Sequence, residues 1–299
     1  MSKLIIIQGP TASGKSSLSL QVALKLGAPI LSADSRQFYK ELSIGTAKPS
    51  TKEQGLVDHY FVDSHSIHDL TITSAEFMKL GRQKIAQLFN EGHKYIVVTG
   101  GSGMFIDALI NGLHPSPSDA SVRSDLNEEW KSKGIEKLIE ELKKKDSTTY
   151  ERIDLNNPMR VLRALEVIRV SGKTLGEIRK QEKIKIDYPY LRFGISWERQ
   201  DLYERIDRRV NEMIGDGLLE EVKGLPLKEN LLIQNTVGYK EWIPYFENGM
   251  SFEDTVAMIQ KNSRNYGKRQ ETWMKRYSDL IVLSPYESST MLEQLIKHI

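Results

Sequence analysis

The 299-residue sequence contains no cysteine. This absence excludes disulfide bonds, thiolate-bound metal ions and cysteine nucleophiles together. The net charge is only +2, with 27% charged residues, so any nucleic-acid site must be local rather than a property of the whole composition. No stretch approaches the roughly 18 continuous apolar residues of a membrane span, and we find no targeting segment, so we expect a cytoplasmic protein without membrane association.

Apolar stretches in the first hundred residues alternate with helical patterns. The sequence predicts strands at 4–7, 29–33 and 95–99, and helices at 15–26 and 73–90, the second with Ser74 as its cap. This alternation predicts an α/β fold, a parallel sheet with helices on both faces. Ligands bind such sheets at the carboxyl ends of the strands, so the residues after positions 7, 33 and 99 are the candidates for a site.

The pattern changes at the turn-rich stretch 114–118. From 122 to about 185 it is almost entirely helical and highly charged, with no strand, and strands return at 191–196 and 281–283. We therefore predict an α/β core made of residues 1–113 and 190–299, which carries a mostly helical insertion domain at 114–189.

Residues 9–16 read GPTASGKS, directly after the first strand, and match the G-x-x-x-x-G-K-[ST] pattern of a phosphate-binding loop. The backbone N–H groups of such a loop surround a phosphate, and the following helix adds its positive N-terminal end. Lys15 adds a positive charge, and the Ser16 hydroxyl is a ligand for Mg²⁺. A glycine turn with an incidental lysine is the alternative. The pattern favours a P-loop NTPase-like sheet and a phosphate site formed by Gly9, Pro10, Thr11, Ala12, Ser13, Gly14, Lys15 and Ser16.

Acidic residues are missing after the apolar strands at 95–99 and 281–283. Nucleotide-hydrolysing P-loop proteins usually carry one there to hold Mg²⁺, so a motor or switch ATPase is disfavoured. The six histidines are not at metal-ligand spacing, and we expect them to be structural or exposed.

Polar residues follow the second and third strands. Asp34 would lie beside the phosphate loop, as a general base or a metal contact, or only as a turn aspartate. The run at 100–103, GGSG, lets the backbone approach a ligand and offers the Ser102 hydroxyl, although a tight turn is an equal explanation.

Two segments are locally basic. Residues 160–185 contain eight Lys or Arg against three Glu, and residues 261–276 contain six against one, a net charge of +5 in each. They favour a polyanionic partner such as a nucleic acid, and a solvated charged face is the alternative. Arg205 and Arg209 are four residues apart on a predicted helix, so they could clamp a diphosphate or pair with Asp201 or Glu212.

Taken together, these residues resemble the bacterial tRNA dimethylallyltransferases, also called tRNA isopentenyltransferases. The resemblance covers nearly the whole chain, with Ser102 in place of a threonine, Phe105 in place of a tyrosine and Gly267 in place of an alanine. The matching segments are 9–16, 32–37 (SADSRQ), Tyr39, 44–49 (IGTAKP), 100–106 (GGSGMFI), 160–166 (RVLRALE), 171–173, 205–210, Gly217, 237–241 (VGYKE) and 264–273 (RNYGKRQETW).

The resemblance implies transfer of a dimethylallyl group from dimethylallyl diphosphate to N6 of the adenosine 3′-adjacent to the anticodon in tRNA, with release of diphosphate. It implies that Asp34 is the general base, that Ser102 lies opposite it near the reactive base, and that Arg209, with Arg205, stabilises the diphosphate. Lys15 and a Mg²⁺ ion on Ser16 would neutralise the same charge.

For the tRNA, the resemblance implies two groups of contacts. The target base, which must leave its stack, would be read by Asp34, Ser35, Arg36, Gln37 and Ser102. The anticodon stem-loop would be held mainly through phosphates, by Arg123, Arg160, Arg163, Arg264 and Lys268. We expect a monomer. A small-molecule P-loop kinase that uses ATP and a non-catalytic RNA-binding module are the alternatives.

Overall fold

The computed structural model describes residues 2–69, 71–114 and 116–299. The chain forms two compact units: unit 1 comprises the residues up to Leu109 together with Asp187–Ile299, and unit 2 is Ile110–Ile186. These bounds lie a few residues from the expected boundaries at 114 and 189. The predicted turn at 114–118 includes Pro115, which lies outside the described residues.

Unit 1 contains a parallel sheet with the strand order β3-β2-β4-β1-β5-β6. The strands are β1 Lys3–Gln8, β2 Ile30–Ser32, β3 His59–Tyr60, β4 Tyr95–Gly100, β5 Tyr190–Ile195 and β6 Leu280–Leu283. The helices are α1 Lys15–Leu26, α2 Thr51–Leu56, α3 Ser74–Asn90, α4 Gly103–Asn111 (which runs into unit 2), α10 Arg199–Gly215, α11 Leu218–Lys223, α12 Leu231–Gln234, α13 Trp242–Asn248, α14 Phe252–Met274 and α15 Met291–Ile296. The predicted parallel α/β fold is confirmed.

The strand order explains where a site can form. β4 lies between β1 and β2, with Ile7 opposite Thr99 and Ser32 opposite Thr99 on the other side. The chain then crosses from β4 past β1 to β5, so the topological switch point is at the carboxyl ends of these strands. The segments after β1, β2 and β4 therefore meet at one edge of the sheet.

The central strand β1 is buried on both faces, as parallel strands are. Ile5 and Ile7 pack in one cluster with Leu18 of α1 and Leu295 of α15, while Ile6, which points to the opposite face, is also fully buried. Burial of such apolar side chains contributes roughly 1.5–3 kcal/mol each to folding. The sheet is therefore a rigid base for the loops at its edge.

Two details of unit 1 differ from the sequence prediction. The cap of α3 is Thr73, because its side chain accepts a hydrogen bond from the Glu76 N–H and its backbone is extended, whereas the predicted cap Ser74 is already helical. Strand β3 was not predicted, because two residues are too few to give a period.

Unit 2 is helical throughout its regular structure in residues 110–114 and 116–186, and its own core holds it together. Its helices are the end of α4, then α5 Ala120–Lys133, α6 Glu136–Lys145, α7 Ser147–Arg152, α8 Pro158–Ser171 and α9 Leu175–Arg179. The core side chains come from α5, α6 and α8, and Leu126, Leu142 and Leu165 are fully buried. Among the described residues of both units, no helix is long and apolar enough to cross a membrane.

Candidate active site

A cavity of about 470 Å³ lies at the edge where β1, β2 and β4 end. This volume is within the roughly 300–1,000 Å³ range of small-molecule sites. The cavity brings together the five side chains on which the predicted chemistry depends: Lys15, Ser16, Asp34, Ser102 and Arg209. They come from three strand ends and from α10, and sequence spacing alone could not relate them.

The predicted phosphate loop leads into α1 through a glycine. Gly14 has a φ of 91°, a left-handed conformation that glycine adopts without strain, and it begins α1. Two side chains from outside the loop hold its carbonyl groups: the Arg205 Nε donates to Ala12 O and the Trp197 Nε1 donates to Ser13 O, both at 2.9 Å. Their contacts turn these carbonyls toward the protein, which leaves the opposite side of the loop for an anion.

Arg205 therefore has a structural role in addition to any ligand contact. Its guanidinium stacks over the Trp197 ring at 4.1 Å. It also lines a second cavity of about 430 Å³, which shares Lys15, Ser16 and Arg209 with the first. The two cavities meet at these shared side chains, so the phosphate loop is reached from both.

Positive charge is concentrated around the phosphate loop. Burial and the nearby Arg209 lower the pKa of Lys15 to about 8, and Asp34 opposes this shift. Burial also lowers the pKa of Arg209, again opposed by Asp34. Glu212 also opposes the shift of Arg209 and lines the second cavity. The cations Lys15, Arg205 and Arg209 still outnumber these two carboxylates, and an excess of positive charge is the condition for binding an anion.

Asp34 is both a turn residue and a cavity residue. Its Oδ1 accepts a hydrogen bond from the Arg36 backbone N–H at 2.9 Å, as a turn aspartate does. Its Oδ2 faces Gly101 at the end of β4, because a Cβ on that glycine would be 3.8 Å from the Oδ2. The turn therefore fixes the carboxylate opposite the segment that carries Ser102.

The residues predicted to read the target base differ in their contacts. Ser35, Arg36 and Gln37 all line the cavity. The Gln37 amide, however, accepts from the Ser32 hydroxyl and donates to the carbonyls of residues 46 and 47, so it holds the following loop in place. The Arg36 guanidinium donates to the Ser35 carbonyl at 3.2 Å.

That loop, residues 43–48, is held by charged side chains that the sequence did not single out. The Glu221 carboxylate accepts hydrogen bonds from the backbone N–H groups of residues 43–45 and from the Tyr239 hydroxyl. The Lys48 ammonium donates to the Tyr39 carbonyl at 2.6 Å and pairs with Asp63. Gly45 and Thr46 of this loop line the cavity, so these contacts shape one of its walls.

Helix α14 supplies a further wall. Tyr266, Arg269 and Gln270 line the cavity, and none of them was predicted as a site residue. Burial, then Asp34, raises the pKa of Tyr266 to about 12. The signal in the sequence was a polar residue among aromatic ones: Gln270 lies on the same face of α14 as Tyr266 and Trp273.

The cations predicted to contact tRNA are not all free. In unit 2, Arg123 and Arg163 both pair with the buried Glu166 carboxylate, at 2.6 and 2.9 Å. Arg160 is exposed and makes no ion pair among the described residues. One carboxylate between two guanidinium groups leaves a net positive charge at this surface.

In unit 1, the two predicted cations of α14 also have partners. Arg264 forms two short contacts with the Asp207 carboxylate of α10, at 2.5 and 2.7 Å. Lys268 is exposed, with its ammonium 5.6 Å from the centre of the Tyr203 ring. Arg264 therefore joins two helices, and Lys268 is the more accessible of the two.

Comparisons with known proteins agree with one another. Residues 37–277 match the family described as IPP transferase. The chain is 38% identical to tRNA dimethylallyltransferase 1 of Bacteroides thetaiotaomicron over 296 residues, which covers 99% of this chain and 96% of the relative. Its structure is similar to that of tRNA delta(2)-isopentenylpyrophosphate transferase from Staphylococcus epidermidis, with a TM-score of 0.71, 33% identity and coverage of 100% and 98%. It is also similar to a eukaryotic dimethylallyltransferase acting on tRNA, with a TM-score of 0.81, 25% identity and coverage of 95% and 74%.

Proposed function

We propose that this chain, which belongs to the IPP transferase family, transfers a dimethylallyl group from dimethylallyl diphosphate to N6 of the adenosine 3′-adjacent to the anticodon in tRNA. The observation that carries the proposal is the single cavity that joins the phosphate loop to Asp34 and Ser102. A small-molecule kinase, the alternative that the phosphate loop first suggests, has no support from the comparisons.

The phosphate loop would bind the leaving group. As the bond between C1 of the dimethylallyl group and the diphosphate oxygen breaks, its electron pair stays on the diphosphate. Lys15 and Arg209 would neutralise this developing charge from fixed positions, which is the usual source of electrostatic catalysis. Burial lowers the pKa of both cations, and the nearby Arg209 lowers that of Lys15 further. A bound diphosphate would favour the charged form of each.

Asp34 would accept the proton from the acceptor amine. The adenine N6 lone pair is delocalised into the ring, so N6 is a weak nucleophile. It becomes a better one if a base removes its proton while the C1–N6 bond forms. The turn that fixes the Asp34 carboxylate supports this role, because Asp34 and Ser102 both line the cavity that the base would enter.

Mg²⁺ fits the site with few protein ligands, as is typical of P-loop proteins. The described residues contain no group of three or more His, Asp or Glu that could hold a metal ion by themselves. The exposed Ser16 hydroxyl lies where Lys15 and Arg209 would bind the diphosphate. Mg²⁺ in such sites takes one or two protein ligands and completes its shell with phosphate oxygens and water, so Ser16 would hold it and the ion would polarise the leaving diphosphate.

The tRNA would be bound by a base-reading part and a phosphate-binding part. Ser35, Arg36 and Ser102 would contact the extruded base from the cavity wall, with Gln37 holding the wall itself. The exposed cations Arg160 and Lys268 would contact the backbone of the anticodon stem-loop, and the partly neutralised Arg123, Arg163 and Arg264 would add weaker contacts.

The test is turnover of Asp34 variants. Purified enzyme, dimethylallyl diphosphate, Mg²⁺ and unmodified tRNA are incubated, and the nucleosides are analysed by mass for prenylated adenosine. We expect Asp34→Ala to lose most of kcat, about 10²–10⁴-fold for a general base, while the Kd for tRNA stays nearly unchanged. The matched control is Asp58→Ala, which removes an exposed carboxylate outside the cavity. An unchanged turnover rate in Asp34→Ala would refute the role of Asp34 as base.

A further inference from the structure

One buried amide side chain links the two sides of the cavity. Gln270, on α14, is only 7% exposed. Its Oε1 accepts a hydrogen bond from the Thr11 backbone N–H at 2.7 Å, and its Nε2 donates to the Gly101 carbonyl at 3.0 Å. Because one partner is a donor and the other an acceptor, only one orientation of the amide satisfies both.

The two partners belong to different halves of the proposed reaction. Thr11 is part of the phosphate loop, which would hold the diphosphate. Gly101 directly precedes Ser102, which would lie beside the acceptor base. The Gln270 amide is also near the phenol of Tyr266, which is close enough to Asp34 for that carboxylate to raise its pKa. Gln270 is therefore in contact with the donor loop, the acceptor turn and a neighbour of the base.

The backbone on both sides leaves room for this link. A Cβ on Gly101 would overlap the Gln270 amide nitrogen, so only glycine at that position allows the approach. One turn earlier in α14, a Cβ on Gly267 would be 3.9 Å from the Pro10 Cβ, so the helix packs directly on the phosphate loop. The Gln270 amide is thus fixed by the phosphate loop, by the turn at Gly101 and by the backbone of its own helix α14.

We propose that Gln270 is a positioning residue, which sets the distance between the leaving diphosphate and the acceptor amine. This inference rests on the proposed function. Transfer requires C1 and N6 to be held about 3–3.5 Å apart, and a displacement of about 1 Å costs on the order of 10²-fold in rate. Both ends of the amide are used by backbone groups, so its loss changes the geometry of the loop and the turn rather than the binding of either substrate alone.

The experiment perturbs the link from both ends. Gln270→Ala removes the amide, and Gly101→Ala displaces it by overlap while Gln270 stays intact. We expect each variant to lower kcat by about 10²-fold, with the Kd values for dimethylallyl diphosphate and tRNA unchanged. The double variant should lose no more than either single variant, because both remove the same link.

Gln260→Ala is the matched control, because Gln260 is another glutamine of α14 that joins it to α10, at Asn211, and it does not line the cavity. Its kcat should equal that of the wild type. A double variant whose losses multiply to about 10⁴-fold would overturn the proposal. An unchanged kcat in Gly101→Ala would overturn it as well. If Gln270→Ala does not fold, the Gly101→Ala result decides alone. Absence of transfer by the wild type would instead refute the proposed function.

Discussion

If the phosphate loop binds dimethylallyl diphosphate as proposed, we expect the Lys15 ammonium to make this binding sensitive to pH in a range where the donor itself does not titrate. With a pKa of about 8 in the free protein, Lys15 is roughly nine-tenths protonated at pH 7 and one-tenth at pH 9. A phosphate ester has its last pKa at about 6, so dimethylallyl diphosphate keeps its full charge above pH 8. Binding above pH 8 therefore requires Lys15 to take up a proton.

The expected size follows from this linkage. The apparent Kd for dimethylallyl diphosphate should be almost constant below pH 7.5 and rise about tenfold for each pH unit above 8, or about 1.4 kcal/mol per unit. The sign follows from the direction of the shift: the folded, unliganded protein lowers the pKa of Lys15, and a bound anion raises it again. Calorimetry without tRNA, in buffers of different ionisation enthalpy, measures both the Kd and the proton uptake.

Lys15→Arg is the control for this prediction. An arginine keeps its charge at every pH of the experiment, so the variant should bind with an affinity that does not change between pH 7 and 9.5 and without proton uptake. A wild-type Kd that stays constant over this range would refute the reasoning. So would an equal slope in Lys15→Arg, because the titrating group would then be a different one.

The remaining predictions concern tRNA binding and the loop at 43–48. Arg160→Ala should weaken tRNA binding and lower the slope of log K against log salt by about 1, with no change in unfolding. Arg123→Ala should instead lower the free energy of unfolding by about 1–3 kcal/mol, because it removes a partner of the buried Glu166. Salt-dependent filter binding and urea unfolding distinguish the two variants. Equal effects of both variants would contradict the assignment of Arg160 to tRNA binding and of Arg123 to an internal ion pair. Glu221→Gln should speed amide hydrogen exchange at residues 43–45, because a neutral amide is a weaker acceptor than the carboxylate. Unchanged protection there would show that Glu221 does not hold the loop.

The parts of the fold that the sequence predicted best have strong local signals. Helix α1 begins and ends where predicted because Gly14 and Gly27, both in left-handed conformations, flank it. The phosphate loop and the strand before it also have strong local signals: the G-x-x-x-x-G-K-[ST] spacing and a continuous apolar run. Thr73 and Ser74 are both good caps, and only the backbone conformation distinguishes them.

The site was predictable only as separate pieces. Asp34 and Ser102 follow strands whose adjacency depends on the sheet order, which no local pattern contains. The pairing of Arg123 with Glu166 joins positions 43 apart in sequence, so a basic segment read from composition does not reveal which of its charges are used internally. Gln270 was missed because its partners are backbone groups of two distant turns, and backbone groups leave no mark in the sequence.

The two ends of unit 2 lie side by side, and this has a consequence for assembly of the nascent chain. The Ile186 N–H donates to the Ile110 carbonyl at 2.8 Å. β1 pairs with β5, so one side of the central strand stays open until the ribosome has made all of residues 110–186. Closing an unstructured loop of that length costs about 4 kcal/mol in chain entropy. A unit that folds first on its own core brings its ends together in advance, so the helical insertion removes most of that cost before the last strands of the sheet are added.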